Sequence, residues 1–437
     1  MGLDLLHYES LNACITCGRC LPACPTYELT LKETQSPRGR LALVKALGDG
    51  ELAFSPGLEE QLYHCLDCRA CNTVCPAGLP IGQAIIAARA EFGAVRGLPW
   101  YKRLALNCLF ASHKRVEAAA WLLRAYQKLG LSRVIRPLLK LLPKRYQTLA
   151  VMEGMLPVLP MPLRRSLPEV TPPPGGAVRL RVGFFLGCVM NVVFAEASRS
   201  TVRVLGELGC EVITPREQVC CGAPHDDQGN REMLRTFARR NIDVFLALNV
   251  DYIVADCAAC SGMTKEYAHL LHDDPAYADR ARQFSAKMLD ISEFLARFMP
   301  DHLQLGALDH AVTYHDPCHL ANVQGVRAQP RSLLNRIPGL DFRPMERSGW
   351  CCGSAGLYTI THTETSLKLL DGKMRNVAAT GAPVVVSGNP GCMLQIAMGA
   401  QMKGMPVQVR HLTQVLDESI SRGKASERGC ESWQRPS

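Results

Sequence analysis

Two short cysteine motifs near the beginning of the chain constrain its fold more than any other feature. They read CITCGRCLPACP at residues 14–25 and CLDCRACNTVCP at residues 65–76. Both have the spacing C-x2-C-x2-C-x3-C-P, in which three thiolates bind three corners of one iron-sulfur cubane and the fourth binds the neighbouring cubane. The motifs therefore predict two 4Fe-4S clusters that exchange one ligand each.

The exchange rule assigns every cysteine of the two motifs to a cluster. The first cluster takes Cys14, Cys17, Cys20 and Cys75, and the second takes Cys65, Cys68, Cys71 and Cys24. Zinc is the alternative, because paired C-x2-C elements also form zinc ribbons. A zinc ion has no need for a four-cysteine run that is followed by proline and occurs twice, so the spacing favours iron-sulfur clusters.

The chain has 20 cysteines, which would form disulfides in an oxidising compartment. Its first residues, MGLDLLHYES, lack the basic stretch and the apolar stretch of a signal peptide. It also has no apolar run of about 18 residues that would span a bilayer. We therefore expect a cytoplasmic protein whose cysteines are reduced and available to bind metal.

An internal repeat occupies the second half of the chain. Its cysteines recur at offsets of 130, 131 and 132 residues, which relate Cys188, Cys221 and Cys260 to Cys318, Cys352 and Cys392. Each repeat contains a Cys-Cys-Gly sequence and is called a CCG unit below. Strand-like runs such as RLRVGFFLGC and HAVTYHDPC alternate with helical stretches, which predicts two α/β units related by a pseudo-twofold axis.

A chain of 437 residues is too long for one compact core. The clearest linker is SLPEVTPPPGGAV at residues 166–178. We expect an α+β multidomain protein, in which an N-terminal α-helical ferredoxin domain precedes the two CCG units. The predicted divisions are the ferredoxin domain (1–97), a basic amphipathic helical segment with the Pro-rich linker (98–177), the first CCG unit (178–304), the second CCG unit (305–420) and a tail (421–437).

The cysteines of the CCG units are candidate cofactor ligands. Adjacent cysteines on an extended chain point to opposite faces, so the chain has to turn at Gly222 and Gly353 for both to serve one site. A further iron-sulfur cluster, a redox-active dithiol and a buried structural site are the alternatives, and matched positions favour a bound metal or cluster. The candidates are Cys188, Cys220, Cys221, Cys257 and Cys260 in the first unit and Cys318, Cys351, Cys352 and Cys392 in the second.

Occupancy of the two CCG units stays open, because Asn389 stands in the second unit where the first has Cys257. His315 and His319 flank Cys318, and His225 follows the first Cys-Cys-Gly; each could donate to a cluster or carry a proton, and a buried structural histidine is the alternative. Three cysteines fall outside both patterns and are not expected to be ligands: Cys108, Cys210 and Cys430.

The positive charge of the chain is concentrated in one segment. Residues 101–147 hold 11 Lys or Arg and a single acid, Glu117, which gives 11 − 1 = +10, against +9 for the whole chain. Cationic amphipathic helices of this kind bind an anionic membrane surface or an acidic face of a partner. Nucleic acid is not expected, because no nucleic-acid-binding motif accompanies the charge.

Longer stretches around these motifs resemble the iron-sulfur subunit of bacterial glycolate oxidase. The resemblance runs from about Leu11 to Ile420 and includes SPRGRLALVKAL, HCLDCRACNTVCPAG, VCCGAPHDDQG, KEYAHLLHDDPAYADRARQ, WCCGSAGLYTITH and GNPGCML. It implies helical-ferredoxin and CCG domains, FAD-binding partner subunits that oxidise glycolate, and electron transfer by this chain toward quinone. Cys257 is an addition to that pattern and makes the first unit resemble the CCG subunit of heterodisulfide reductase.

The sequence as a whole predicts an electron-transfer subunit with no catalytic residue of its own. No G-x-G-x-x-G motif follows a strand, so the FAD is expected on the partner and not on this chain. Iron-sulfur subunits of lactate or glycerol-3-phosphate dehydrogenase systems share the motifs and are alternatives, as is a heterodisulfide-reductase-like enzyme with chemistry at a CCG site. The expected location is the cytoplasm, with possible contact to the inner face of the cell membrane.

Overall fold

The N-terminal part of the chain folds into a small all-helical domain. The computed structural model describes residues 8–132, 134–135, 139 and 158–433. Leu41, Val44, Leu62, Ile85 and Phe92 lie in the core of this domain. Its α-helices are Pro25–Thr30, Pro37–Gly48, Pro56–Tyr63, Ala70–Val74 and Ile81–Arg96, and its 3-10 turns are Tyr8–Ala13 and Glu33–Gln35.

Serine caps and proline define where two of these helices begin. The Oγ of Ser36 accepts a hydrogen bond from the amide of Gly39 at 2.9 Å, and Pro37 occupies the first helical position. Ser55 and Pro56 start the next helix in the same way. A serine at the N-cap satisfies an otherwise unpaired amide, and proline tolerates the first turn because it has no amide to lose.

The basic segment continues the helical structure. It contains the helices Trp100–Arg103 and His113–Lys128, with a π-helical stretch at Leu104–Phe110 between them. Lys140, Lys144 and Arg145 lie outside the described residues. Within the described part of the chain, no helix combines the length and apolar character needed to cross a bilayer.

Two sheets follow, and their topologies match. The first has the order β1-β3-β2-β4-β5, and the second has the order β7-β6-β8-β9. All neighbouring strands are parallel except β1, which pairs antiparallel with β3. The strands are β1 (Val170–Thr171), β2 (Leu180–Phe185), β3 (Cys210–Ile213), β4 (Tyr252–Ala255), β5 (Met288–Asp290), β6 (Ala311–Tyr314), β7 (Asp341–Phe342), β8 (Val384–Ser387) and β9 (Gln408–His411).

Helices surround the two sheets, and the predicted fold class is confirmed: a helical ferredoxin-type domain precedes two α/β CCG repeats. Helices of the first unit are Leu163–Ser166, Cys188–Val192, Ala195–Glu207, Ala223–Asp227, Arg231–Leu246, Ala258–Lys265, Tyr267–Leu270, Ala278–Lys287 and Ile291–Phe298. Those of the second are Ala328–Asn335, Tyr358–Thr361, Thr363–Thr380, Pro390–Met402 and Leu412–Trp433, with a π-helical stretch at His319–Val323.

The two CCG units exchange their final helices. Leu412–Trp433, which follows the last strand of the second unit, packs against Ala195–Glu207 of the first. Ile291–Phe298, which follows the last strand of the first unit, packs against Ala328–Asn335 of the second. Each unit therefore covers part of the other, as a pseudo-twofold relation requires.

Arg89 joins the helical domain to the first CCG unit. The side chain is only 1% exposed, and its Nη1 donates to the Oδ1 of Asp227 at 2.7 Å and to the carbonyl oxygen of Asp227 at 3.0 Å. Its Nη2 donates to the carbonyl oxygen of Leu62 at 2.9 Å. Beside it, Gly229 packs so closely that a Cβ there would overlap the carbonyl oxygen of Arg89. The helical domain is thereby held in a fixed position on the first CCG unit.

Candidate iron-sulfur centres

The eight cysteines of the two N-terminal motifs line two separate small cavities. Each cavity contains three cysteines of one motif and the last cysteine of the other motif. Cys14, Cys17, Cys20 and Cys75 line one of them, and Cys24, Cys65, Cys68 and Cys71 line the other. The structure thus brings together the same two groups of four thiols that the spacing groups, while the ligand assignment itself stays a prediction.

Left-handed backbone conformations wrap the motifs around these cavities. Thr16 and Gly18, between the first three cysteines, have φ of +54° and +80°. Asp67 and Arg69, at the corresponding places of the second motif, have φ of +46° and +55°. Alternation of right-handed and left-handed residues points successive amides into a concavity, and such concavities bind anions, including iron-sulfur clusters. The backbone as well as the thiols therefore suits a negatively charged, thiolate-bound cluster.

The electrostatics of the second cavity also fit a metal cluster. Burial raises the pKa of Cys65, Cys68 and Cys71, and for Cys68 the neighbouring thiols add to the effect. Thiols crowded together in an apolar place resist ionisation unless a cation shares the site. Iron bound at this place would supply the positive charge that keeps the thiols ionised as ligands. The residues present therefore fit a 4Fe-4S cluster.

Arg69 connects the second motif to the first CCG unit. Its side chain is 4% exposed and forms ion pairs with Asp67 and, at 3.5 Å, with Glu266. Burial lowers the pKa of the Arg69 guanidinium, but the two carboxylates outweigh burial and raise it above its usual range. A permanent positive charge thus lies beside the second cavity, where thiolate-ligated iron would bring negative charge.

In the first CCG unit the chain turns at Gly222, as the sequence requires for the paired thiols to reach one site. Gly222 has φ of +87°, and its amide donates to the Sγ of Cys220 at 3.4 Å. The neighbouring thiol of Cys220, together with burial, raises the pKa of Cys188. Hydrogen bonds from Cys220 and Cys260 lower the pKa of Cys221. The thiol of Cys221 is thus surrounded by the thiols of Cys220 and Cys260, which is the environment of a metal ligand.

The second CCG unit repeats this geometry. Gly353 has φ of +89°, and its amide donates to the Sγ of Cys351 at 3.5 Å. The thiol of Cys318 lowers the pKa of Cys351, whereas that of Cys352 raises it. In the same way, the thiol of Cys351 lowers the pKa of Cys352, whereas that of Cys392 raises it. The two units therefore present equivalent chains of thiols.

Polar side chains that the sequence reasoning missed fasten the loops of the paired cysteines. In the first unit, Asn241 donates to the carbonyl oxygen of Cys220 at 3.1 Å and accepts from the amide of Val219 at 2.9 Å. In the second unit, the Nζ of Lys373 donates to the carbonyl oxygens of Arg347 and Ser348 at 2.9 and 3.1 Å. Asn241 and Lys373 are 132 residues apart, which equals the last offset of the cysteine repeat. Extending the alignment of the two repeats to this position could have identified both residues as candidates.

A cavity of about 190 Å³ lies where the two CCG units and the helical domain meet. Asp67, Arg69 and Glu266 reach its wall, and Asn389 lies beside Cys257, with 3.8 Å between Oδ1 and Sγ. The cysteines that line the cavity are Cys188, Cys220, Cys221, Cys257, Cys260, Cys318 and Cys392. Thiols of both units thus converge on one shared space.

The second N-terminal motif also touches the second CCG unit. After burial, the neighbouring thiols of Cys351 and Cys318 raise the pKa of Cys68 most. The carbonyl oxygen of Cys68 accepts from Asn322 Nδ2 at 2.8 Å, and Leu66 packs against Cys351. One of the two N-terminal centres is therefore adjacent to a CCG centre.

The remaining candidates lie apart from these centres or have other partners. Cys108 is exposed, Cys210 is buried in strand β3, and the side chain of Cys430 lies outside the described residues. The Nε2 of His225 lies 3.1 Å from the carbonyl oxygen of Leu106. The Nδ1 of His319 lies 3.5 Å from the Sγ of Cys318. His319 is therefore placed beside the thiol of Cys318 itself.

Three protein families match successive parts of the chain. The family described as "4Fe-4S dicluster domain" matches residues 10–79, and "Cysteine-rich domain" matches residues 182–265 and 312–397. The family described as "Glycolate oxidase iron-sulfur subunit, linker region" matches residues 97–156. The matches follow the order of the helical domain, the basic segment and the two CCG units.

Relatives of similar length match nearly the whole chain. The "Probable glycolate oxidase iron-sulfur subunit" of Bacillus subtilis is 40% identical over 94% of both chains. The "Glycolate oxidase iron-sulfur subunit" of Escherichia coli is 30% identical over 94% of this chain and 95% of its own. "Lactate utilization protein A" of Exiguobacterium is 31% identical over 55% of this chain and 98% of its own. A solved structure, "a hypothetical protein from Helicobacter pylori", matches 90% of this chain and 78% of its own at 11% identity and a TM-score of 0.44.

Proposed function

Because this chain belongs to the family of glycolate oxidase iron-sulfur subunits, we propose that it conducts electrons for a glycolate-oxidising complex. In this proposal an FAD-binding partner subunit oxidises glycolate, and the chain passes the electrons through 4Fe-4S clusters toward a respiratory acceptor. The 40% identity to the Bacillus subtilis relative over 94% of the chain supports the assignment of the substrate class. No residue of this chain is assigned a catalytic role.

The observation that carries the proposal is the contiguity of the thiols. Each group of four thiols in the helical domain contains one cysteine of the other motif, Cys24 in one group and Cys75 in the other, so their cavities are neighbours. The second of these groups touches the second CCG unit through Cys68, and the five thiols of the first CCG unit line one cavity with Cys318 and Cys392 of the second. Centres arranged in an unbroken series suit electron transfer, whereas isolated structural zinc sites need no such series.

We assign the clusters as the spacing and the cavities both suggest. Cys14, Cys17, Cys20 and Cys75 would hold the first, and Cys65, Cys68, Cys71 and Cys24 the second. Each CCG unit would hold a further cluster through its own cysteines. When bound, the iron-sulfur groups supply the one-electron redox chemistry. The residues of this chain hold them, surround them with hydrogen-bond donors and separate them from solvent.

A pair of exchange variants tests the cluster assignment. Cys24→Ser should disturb the cluster of the second motif, although Cys24 belongs to the first, and Cys75→Ser should disturb the cluster of the first motif. Iron content and EPR spectra of anaerobically purified full-length chain report the loss. Cys108→Ser is the control, because this cysteine is exposed and far from either motif in the sequence. Loss of the cluster belonging to the variant's own motif would contradict the exchange.

The division of labour between subunits has a separate test. The purified chain alone should not reduce a dye acceptor with glycolate, and addition of the FAD-binding partner should restore dye reduction. Glycolate oxidation by the chain alone would refute the proposal.

We place the complex in the cytoplasm, with contact to the inner face of the membrane through the basic segment. Membrane sedimentation that is unchanged when Lys140, Lys144 and Arg145 are neutralised would argue for a protein partner instead.

The thiols of the first CCG unit favour a second candidate, direct chemistry at that site as in heterodisulfide reductase. Cys257 adds a fifth thiol to the unit and faces the shared cavity of about 190 Å³. This candidate predicts that a disulfide substrate changes the spectrum of the CCG centres without any flavoprotein. A spectrum that responds only when the reduced flavoprotein is added would favour electron transfer alone.

A further inference from the structure

His315 is a buried histidine whose ring has no partner. It follows strand β6, its backbone amide donates to the carbonyl oxygen of Val386 at 2.9 Å, and the residue is 1% exposed. Neither Nδ1 nor Nε2 has a hydrogen-bond partner among the described residues. A buried polar group without a partner costs free energy, so such a group calls for an explanation, for which an unseen ion is a standard candidate.

Two cysteine thiols accompany the ring. One ring nitrogen of His315 and the Sγ atoms of Cys352 and Cys392 all lie within 4.8 Å of one another. All three residues are buried. Nitrogen and sulfur donors in this number and spacing are suited to one transition-metal ion such as iron or zinc. The three groups come from the end of a strand, the Cys-Cys-Gly turn and the helix Pro390–Met402, so the fold rather than local sequence assembles them.

The first CCG unit differs from the second in a complementary way. At the offset of 130 residues that relates Cys188 to Cys318, the residue matching His315 is Phe185, which cannot bind metal. The first unit has a fifth thiol at Cys257, whereas the second has Asn389 there, whose Nδ2 donates to the Sγ of Cys392 at 3.4 Å. Each unit therefore has five candidate ligands, five thiols in one and four thiols with an imidazole in the other.

We propose that His315 is the fifth ligand of the second CCG site and binds iron of its cluster beside the ligands Cys352 and Cys392. This inference rests on the proposed loading of the CCG units with iron. Lys373 is the buried cation of the same unit. Its Nζ is already bound by two carbonyl oxygens and therefore does not replace a metal ion beside His315. One of the unpartnered ring nitrogens of His315 then binds the iron.

The ligand set has a consequence for electron flow. Replacing a thiolate by a neutral imidazole removes a negative charge from the cluster, and histidine ligation raises the reduction potential of iron-sulfur centres. The second CCG centre therefore has a higher reduction potential than the first. Since it lies next to Cys68, it is the CCG centre that takes electrons from the helical domain.

The test is pulsed EPR on the full-length chain, purified anaerobically and labelled with ¹⁵N-histidine. The wild type should show hyperfine coupling from a directly bound histidine nitrogen. His315→Phe, the residue that the first unit carries, and His315→Cys should both abolish this coupling. His315→Cys should keep the iron content of the wild type and shift the potential of the centre downward, which guards against a simple folding defect. His319→Gln is the matched control, because its ring also lies beside a cysteine, and it should keep the coupling.

Other results would overturn the ligand, the loading of the CCG units or the identity of the metal. Coupling that persists in His315→Phe, or that is lost only in His319→Gln, overturns the assignment of His315. Iron beyond two cubanes per chain, without any histidine coupling, overturns the ligand but leaves the loading of the CCG units intact. Iron for two cubanes only overturns that loading, and one zinc per chain that is lost in His315→Phe overturns iron as the metal.

Discussion

At the scale of single residues, burial of histidine rings makes the chain sensitive to acid. His113, at the start of the helix His113–Lys128, is 5% exposed, and neither of its ring nitrogens has a partner among the described residues. Burial, together with the charge of Arg164, lowers the pKa of His113 to about 4. The ring is therefore neutral in the folded chain at neutral pH.

His113 predicts a specific loss of stability on acidification. Its folded pKa lies below the ordinary value, so the unfolded state binds the proton first, and stability that is complete above about pH 6.5 is lost as the pH falls toward 4. The full effect is on the order of 3 kcal/mol. His113→Phe should flatten this dependence and leave stability near pH 7.5 within about 1 kcal/mol. Urea unfolding at pH 7.5 and 5 measures both; equal slopes for variant and wild type would contradict the account.

Sequence reasoning reached the cysteines of both motifs and of the CCG units because spacing alone carries their chemistry. It named His315 only as a neighbour of Cys318 and could not favour it over His319. The difference lies in packing, since the ring of His319 is hydrogen-bonded to the thiol of Cys318 and the ring of His315 has no hydrogen-bond partner among the described residues. Whether a buried ring has a partner depends on residues from three distant segments, which one sequence does not reveal.

At the scale of elements, Glu117 anchors the basic helix to the first CCG unit. The only acid of residues 101–147 is 1% exposed. Its Oε1 accepts from Arg164 Nε at 2.6 Å and from Asn191 Nδ2 at 3.0 Å, and its Oε2 accepts from Arg165 Nε at 3.3 Å. Although burial raises the pKa of Glu117, these hydrogen bonds outweigh burial and lower it, which keeps the carboxylate charged. The sequence shows that Glu117 is exceptional but not its partners, which lie 47 and 74 residues further along the chain.

Removal of the Glu117 charge should loosen this helix. Glu117→Gln leaves the buried Arg164 guanidinium without a counter-charge, and breaking a buried pair in this way costs about 3 kcal/mol. Arg165→Gln is the matched control: the Arg165 side chain is 56% exposed, and exposed pairs contribute less than about 1 kcal/mol. Urea unfolding measures the loss of stability in each variant, and limited proteolysis of the folded chains measures how readily the helix His113–Lys128 is cleaved. Equal losses for both variants would mean that the buried pair is not the anchor.

At the scale of the whole molecule, close backbone contact fixes the helical domain on the first CCG unit. Gly229 has φ of +76°, and Gly93 lies so near that a Cβ on it would be 2.7 Å from the carbonyl oxygen of Gly229. Tyr63 Oη donates to the carbonyl oxygen of Gln228 at 3.1 Å in the same interface. Sequence periodicity predicted each domain by itself, but the contact between them depends on glycines whose place in the interface no motif indicates.

A pair of glycine variants isolates this contact. Gly229→Ala and Gly325→Ala both place a side chain at positive φ, which costs about 1 kcal/mol. Only at Gly229 does the new Cβ overlap the carbonyl oxygen of Arg89, whereas at Gly325 nothing lies within 4 Å. We expect Gly229→Ala to be less stable than Gly325→Ala by about 1 to 3 kcal/mol and to slow reduction of the CCG centres. Thermal unfolding and stopped-flow spectroscopy measure the two effects, and identical behaviour of the variants would disprove the tight interface.

The exchange of final helices also determines when the first CCG unit can finish folding during synthesis. Helix Ala195–Glu207 is covered by Leu412–Trp433, the last described helix of the chain. While residues 412–433 are still inside the ribosome, the first unit therefore lacks part of its outer layer. Maturation of that unit has to wait until residues 412–433 have left the ribosome, so a nascent chain cut short before residue 412 leaves the helix face that they cover open to chaperones and proteases.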